Sequence, residues 1–219
     1  MSQKVLWGPD DLARRKIIYP GMQQRDVLNA FREIRAKLLL KTKSKNGVLL
    51  VSSVGRSGGS SFAAINLAAA FALDEQKSAL YIDCSLHSDQ GYQFVAEEPG
   101  CGLIDYLEND NLVLDDVLYS SGVPRLRVIP GGEPRETAAE YFNSSRMGDL
   151  IREVHSRYED RFVVLDVPSV SASAEARILS QYCDSAILVV PFGQVVSSQV
   201  LAGIDAVGKE RFAGVVFNN

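Results

Sequence analysis

The run Ser52-Ser53-Val54-Gly55-Arg56-Ser57-Gly58-Gly59-Ser60-Ser61 is built from residues that suit the holding of an anion. Gly58 and Gly59 let the backbone pass close to a phosphate, and the N–H groups that open a following helix would point at it. A working phosphate-binding loop puts Lys directly after its last glycine, where it reaches the β- and γ-phosphates. Here that residue is Ser60. Arg56, Ser57, Gly58, Gly59, Ser60 and Ser61 are the candidate nucleotide-binding residues, with Ser61 where a loop Ser/Thr would hold Mg²⁺. A hydrogen bond to a charged group contributes about 1.5–3 kcal/mol, which sets the loss of affinity without lysine at about ten- to over a hundredfold. Phosphoryl transfer suffers more, because charge developing on the phosphates goes uncompensated. Arg56 offers a partial substitute, and a glycine-rich turn that binds nothing is the alternative.

Two aspartates extend the set. Ala79-Leu80-Tyr81-Ile82-Asp83 and Phe162-Val163-Val164-Leu165-Asp166 each end an apolar run in an acid. Open parallel sheets bind ligands at the carboxyl ends of their strands. Two carboxylates there, beside a phosphate loop, suit the waters of a bound Mg²⁺. Ser61, Asp83 and Asp166 are therefore the candidate metal residues, to be used if nucleotide binds. Each aspartate alone would pass as a helix cap. The apolar neighbours of Tyr81 give that residue a packing role.

Positioning these side chains requires strands that feed into helices. Strand-like runs are expected at 48–51, 79–82, 126–129, 162–165, 186–190 and 214–217, with helices near 60–74, 103–118, 137–158, 173–182 and 197–209. Apolar runs separated by helices predict a mainly parallel sheet covered on both faces, an α/β fold of the P-loop NTPase type. Ahead of it, residues 1–24 carry Gly8-Pro9 and Pro20-Gly21 and read as an extended arm. A helix follows from Asp26 to Lys41, with Val27, Phe31, Ile34, Leu38 and Leu39 at helical spacing. The expected division is a basic arm and helix over 1–46 and the nucleotide-binding-type domain over 47–219.

The 219 residues are 46% hydrophobic and 23% charged, the composition of an ordinary globule. No apolar stretch is long enough for a membrane span, and no signal peptide is expected. Cys84, Cys101 and Cys183 lack zinc spacing and read as reduced thiols of a cytoplasmic protein. The net charge of −4 hides an asymmetry: residues 1–46 hold eleven Lys/Arg against four acids, leaving twelve against 23 in the remainder. A basic arm on an acidic body could dock on a second copy or lie near an anionic membrane surface.

With these residues in view, the chain from about Asp26 to Asn219 resembles the tyrosine autokinases of bacterial capsule and exopolysaccharide synthesis, relatives of the MinD/ParA ATPases. Asn29-Ala30-Phe31-Arg32-Glu33-Ile34-Arg35 is similar to that family's Glu-x-x-Arg-x-x-Arg oligomerisation helix, with Asn29 in place of Glu. Asn66-Leu67-Ala68, Ile129-Pro130-Gly131-Gly132, Asp166-Val167-Pro168-Ser169 and Cys183-Asp184-Ser185-Ala186 resemble further family segments. The resemblance implies ATP or ADP with Mg²⁺ as cofactor, weakly held or absent here. It also implies Arg32 and Arg35 at a contact between copies in a homo-oligomer.

The departures fall on the chemistry. The family's Asp-x-Asp-x-Arg reads Asp83, Cys84, Ser85, Leu86, His87, the loop lysine is Ser60, and the eight tyrosines are scattered rather than clustered at the end of the chain. The expectation is a pseudokinase-like protein rather than an active enzyme. It would regulate or scaffold capsule, exopolysaccharide or adhesin synthesis and export with an inner-membrane polysaccharide co-polymerase. It would be cytoplasmic, recruited to the inner membrane by that partner, and no nucleic acid partner is expected. An active tyrosine kinase or ATPase with a non-standard loop, and a ParA/MinD-type positioning ATPase, are the alternatives.

Overall fold

The computed structural model describes residues 6–42, 46–85, 91–133, 135 and 137–219. Nine α-helices and seven strands are present among them, in the order α1 (Pro9–Arg14), α2 (Arg25–Lys41), β1 (Gly47–Ser53), α3 (Ser60–Ala72), β2 (Ser78–Asp83), α4 (Leu103–Glu108), α5 (Leu114–Val117), β3 (Tyr119–Ser120), β4 (Leu126–Ile129), α6 (Ala138–Phe142), α7 (Ser145–Ser156), β5 (Arg161–Asp166), α8 (Glu175–Ser180), β6 (Ser185–Pro191), α9 (Ser197–Val207) and β7 (Phe212–Asn218). The strands form one sheet in the order β3-β4-β2-β5-β1-β6-β7. Every neighbouring pair is parallel except β3 with β4.

The central strands are buried on both faces, and their alternation divides the core in two. Val48 and Leu50 of β1, with Val163 and Leu165 of β5, pack under α4–α9. Leu49 and Val51, with Phe162 and Val164, pack under α1–α3. This two-sided burial is why the strands read as continuous apolar runs. Helix α3 lies directly on the sheet, with ten of its thirteen residues buried. Its alanines bring its backbone close to the strands, and Phe71 stacks on Phe162 of β5 with ring centroids 4.0 Å apart.

Residues 6–24 depart from an extended arm. Pro9 sits at the first turn of α1, where its fixed φ suits a helix start and its missing N–H costs nothing. Beyond α1, Ile17 and Ile18 are buried in the core shared with α2 and α3. Asn66 of α3, itself fully buried, accepts from the Ile18 N–H at 2.7 Å and donates to the Lys16 carbonyl at 2.9 Å. The Arg15 guanidinium lies 4.1 Å from the Trp7 ring and bonds the Gln93 carbonyl. The basic segment is thus wound onto its own α3.

Two expected helices are split. The 103–118 stretch breaks after Glu108, where Arg146 donates to the carbonyls of Tyr106, Asn109 and Leu112. The 137–158 stretch breaks at Ser144, whose hydroxyl accepts from the Met147 N–H and starts α7 afresh. Among the described residues no helix is long and apolar enough to cross a membrane.

Candidate nucleotide-binding site

β1 and α3 position the loop. β1 runs between β5 and β6 at the centre of the sheet, and the chain turns at its carboxyl end into α3. The turn needs left-handed backbone at Gly55 (φ 92°), Ser57 (φ 53°) and Gly59 (φ 81°). Gly58 is required for a different reason: a Cβ there would sit 2.6 Å from Ser53 Cβ. Gly59 caps α3 without a side chain, so the N–H groups of the first turn are left without intrahelical partners. Donors so placed, at the positive end of a thirteen-residue helix, suit a phosphate.

Neighbouring segments brace the loop. The Ser52 hydroxyl donates to the Pro168 carbonyl at 2.6 Å and accepts from the Val170 N–H at 3.1 Å. At the end of β7, Asn218 Nδ2 donates to the Gly58 carbonyl at 3.2 Å. No signal marked Asn218 beforehand, because a penultimate Asn looks like an ordinary strand terminus. Arg56 is exposed and makes no hydrogen bond or ion pair with the described residues. Ser60 and Ser61 are half-buried at the start of α3.

The two expected aspartates come together. Asp83 at the end of β2 is in register with Asp166 at the end of β5, and both are buried. Their environments differ. Asp83 Oδ1 accepts from the Ser85 N–H and Oδ2 from the Gly91 N–H, each at 2.9 Å. Gly91 allows this, since a Cβ would lie 2.4 Å from Oδ2. Burial, then the charge of Asp166, pushes the Asp83 carboxyl well above the usual carboxylate range, against the pull of those two N–H bonds. Burial also pushes Asp166 up, to about 6, with the Ser61 and Tyr81 hydroxyls drawing it back down. His87 lies outside the described residues.

Tyr81, expected only to pack, also has a polar role. Its ring meets Phe94 edge-on at 5.5 Å, and its hydroxyl donates to Asp166 Oδ2 at 2.7 Å. Alternation along β2 puts Tyr81 on the same face as Asp83, which is the signal that could have found it. Asp166 Oδ1 has no hydrogen-bond partner although it is buried. An orphaned carboxylate oxygen near Ser61, beside unpaired helix N–H groups, fits a hydrated Mg²⁺ and a phosphate. Ser60 brings no charge to the first turn of α3, and Arg56 is the one basic residue of the loop.

The arginines expected at a contact between copies have separate surroundings. Arg32 is exposed, whereas Arg35 reaches inward and donates to the Ala70 carbonyl at 2.8 Å, in the last turn of α3.

No family model matches the chain. Among curated proteins, the tyrosine-protein kinase CpsD of Streptococcus agalactiae is 25% identical over 210 residues, covering 94% of this chain and 89% of CpsD. The tyrosine-protein kinase Wzc of Salmonella typhi is 23% identical over the whole chain, which spans 30% of Wzc. Among solved structures, the kinase domain of the Escherichia coli tyrosine kinase Etk superposes with a TM-score of 0.78 at 22% identity, covering 88% of this chain and 75% of that one. The cell division ATPase MinD of Pyrococcus furiosus superposes at 0.63 and 18% identity, covering 78% and 70%. The loop-first, parallel scaffold is the P-loop fold shared with MinD- and ParA-type ATPases, and in sequence and fold the chain is similar to the bacterial tyrosine autokinases.

Proposed function

We propose that this chain is a catalytically degenerate autokinase-family protein that regulates or scaffolds the synthesis and export of capsule, exopolysaccharide or adhesin. Its partner in this reading is an inner-membrane polysaccharide co-polymerase, which recruits it to the cytoplasmic face of the membrane. The observation that carries the reading is Ser60: the loop closes onto α3 with its glycines in place, and a hydroxyl stands where the charge for the β- and γ-phosphates belongs. Asp83 supports it, because both its carboxylate oxygens hold main-chain N–H groups. Bound nucleotide would act as a structural ligand or a switch. Incubation of the purified protein with labelled ATP and Mg²⁺ tests the proposal. The expected result is no turnover and no phosphotyrosine; robust turnover that is lost in Asp83→Ala overturns it.

A second reading, an active kinase or ATPase, draws on Arg56. That side chain is exposed on the loop and uncommitted among the described residues. It could supply the missing charge, as an arginine finger does. In that case the co-polymerase's cytoplasmic segments raise turnover, and Arg56→Ala abolishes the gain.

A further inference from the structure

At the end of the sheet opposite the loop, three adjacent strands begin with polar residues on one face. Ser78 is in register with Arg161, and Leu80 with Arg127. Because strand side chains alternate with period two, Arg161 of β5, Ser78 of β2 and Arg127 of β4 share a face. They line a cavity of about 470 Å³ together with Arg125, Asp115 and Tyr158.

Among the described residues, none of Arg161, Arg127 and Arg125 forms an ion pair with a carboxylate. Arg161 is 5% exposed, and its Nε and Nη1 have no hydrogen-bond partner; nor has the buried Ser78 Oγ. The Arg161 guanidinium lies 3.5 Å from the Tyr158 ring, a contact that orients it while Nε and Nη1 stay unpartnered. Asp115 does not neutralise it, being paired at 2.7 Å with Arg157. Arg127 commits Nη1 to the Ser120 hydroxyl, and Arg125 commits Nε and Nη2 to the Ala72 carbonyl. Burial lowers the Arg161 pKa, with Arg127 adding to the effect against Tyr158 and Asp160. A buried guanidinium stays charged, and buried unpaired donors are costly enough that native proteins rarely leave them so.

We infer that this cavity is a second anion site, one that takes a small phosphate-bearing molecule with its phosphate between Arg161, Arg127 and the Ser78 hydroxyl. Donors that converge from three strands match an oxyanion with several acceptor oxygens, whereas a carboxylate would satisfy a single fork. The site is separate from the loop: Arg161 opens β5 and Asp166 closes it, about 17 Å along the strand. β2 likewise starts at Ser78 and ends at Asp83. Two strands therefore carry this anion site at one end and the buried aspartate pair at the other.

Calorimetric titration of the full chain with inorganic phosphate and with pyrophosphate, against chloride at matched ionic strength, tests the inference. Saturable binding is expected, weakened at least tenfold by Arg161→Gln and by Arg127→Gln and unaffected by Gly59→Ala, which strains the nucleotide loop. Arg127 is only half-buried, so its variant keeps the test decisive if Arg161→Gln does not fold. Absence of binding beyond the chloride control, affinity unchanged in Arg127→Gln, or affinity lost in Gly59→Ala instead would each overturn it.

Discussion

The Tyr81 hydroxyl donates to Asp166 Oδ2 at 2.7 Å, across the boundary between adjacent strands β2 and β5. Tyr81→Phe removes the donor and leaves that oxygen buried with one fewer partner. The expected cost is about 1–3 kcal/mol. It is measured as a lower denaturant midpoint with an unchanged slope, and Asp166 should titrate at a higher pH, because the hydroxyl holds its pKa down.

The aspartate pair makes stability depend on pH in a stated direction. Burial raises the Asp166 carboxyl from an ordinary 3.8 to about 6, so the folded chain retains a proton that the unfolded chain has already released. Its contribution is full below about pH 4 and is lost as pH rises through 6. Asp83 is raised as well and acts in the same sense. Asp166→Asn should therefore be more stable than the parent at pH 8, by about 1–3 kcal/mol, with the gap closing by pH 4. Thermal melts across that range check it; a gap that widens in acid contradicts it.

These two aspartates were legible before the fold, since each closes an apolar run that reads as a strand. The five inner strands were legible for the same reason: burial on both faces leaves little but Val, Ile, Leu and Ala, whereas β7, at the edge, showed only through Val215-Val216-Phe217. β3 was not, because two residues at a sheet edge carry no period. The breaks at 109–112 and 143–144 were hidden because side chains remote in sequence, or one serine cap, decide them. Tyr81 packs as its apolar neighbours indicate, but they describe its ring and say nothing of its hydroxyl. Arg161 lies just before the apolar run that marks β5, and only the register with Ser78 and Arg127 shows what it faces.

Asn66 should prove the anchor of residues 6–24. Asn66→Ala removes the bonds to Ile18 N and the Lys16 carbonyl, and with them the bond to the Phe62 carbonyl. A loss of about 2–3 kcal/mol is expected from buried main-chain groups left unpaired. Limited trypsin digestion reads the local effect, with faster cleavage at Arg14, Arg15 and Lys16 than in the parent.

Gly59 and Asn218 should behave as a coupled pair. Alanine at Gly59 must adopt φ near 81° and would displace the Asn218 amide, whose Nδ2 lies 2.3 Å from the added Cβ. The left-handed backbone alone costs about 1–2 kcal/mol, and the Asn218–Gly58 bond goes with it. Asn218→Ala should then cost less in the Gly59→Ala background than in the parent. A double-mutant cycle with strictly additive losses contradicts the coupling.

Restoring the missing charge tests the loop itself. Ser60→Lys should tighten ADP and ATP binding by about ten- to a hundredfold if the helix donors and glycines are competent. Calorimetry with and without Mg²⁺ measures it, and unchanged affinity would show that the turn serves the fold alone.

The bonds that Asn66 makes join the start of the chain to the helix that begins at the loop. Asn66 lies six residues into α3, about 9 Å along its axis from Ser60. Ile17 and Ile18 are wholly interior beside it, so releasing residues 16–18 would expose two buried side chains together. That release would also bare the flank of α3, the helix whose first-turn N–H groups face the glycine loop.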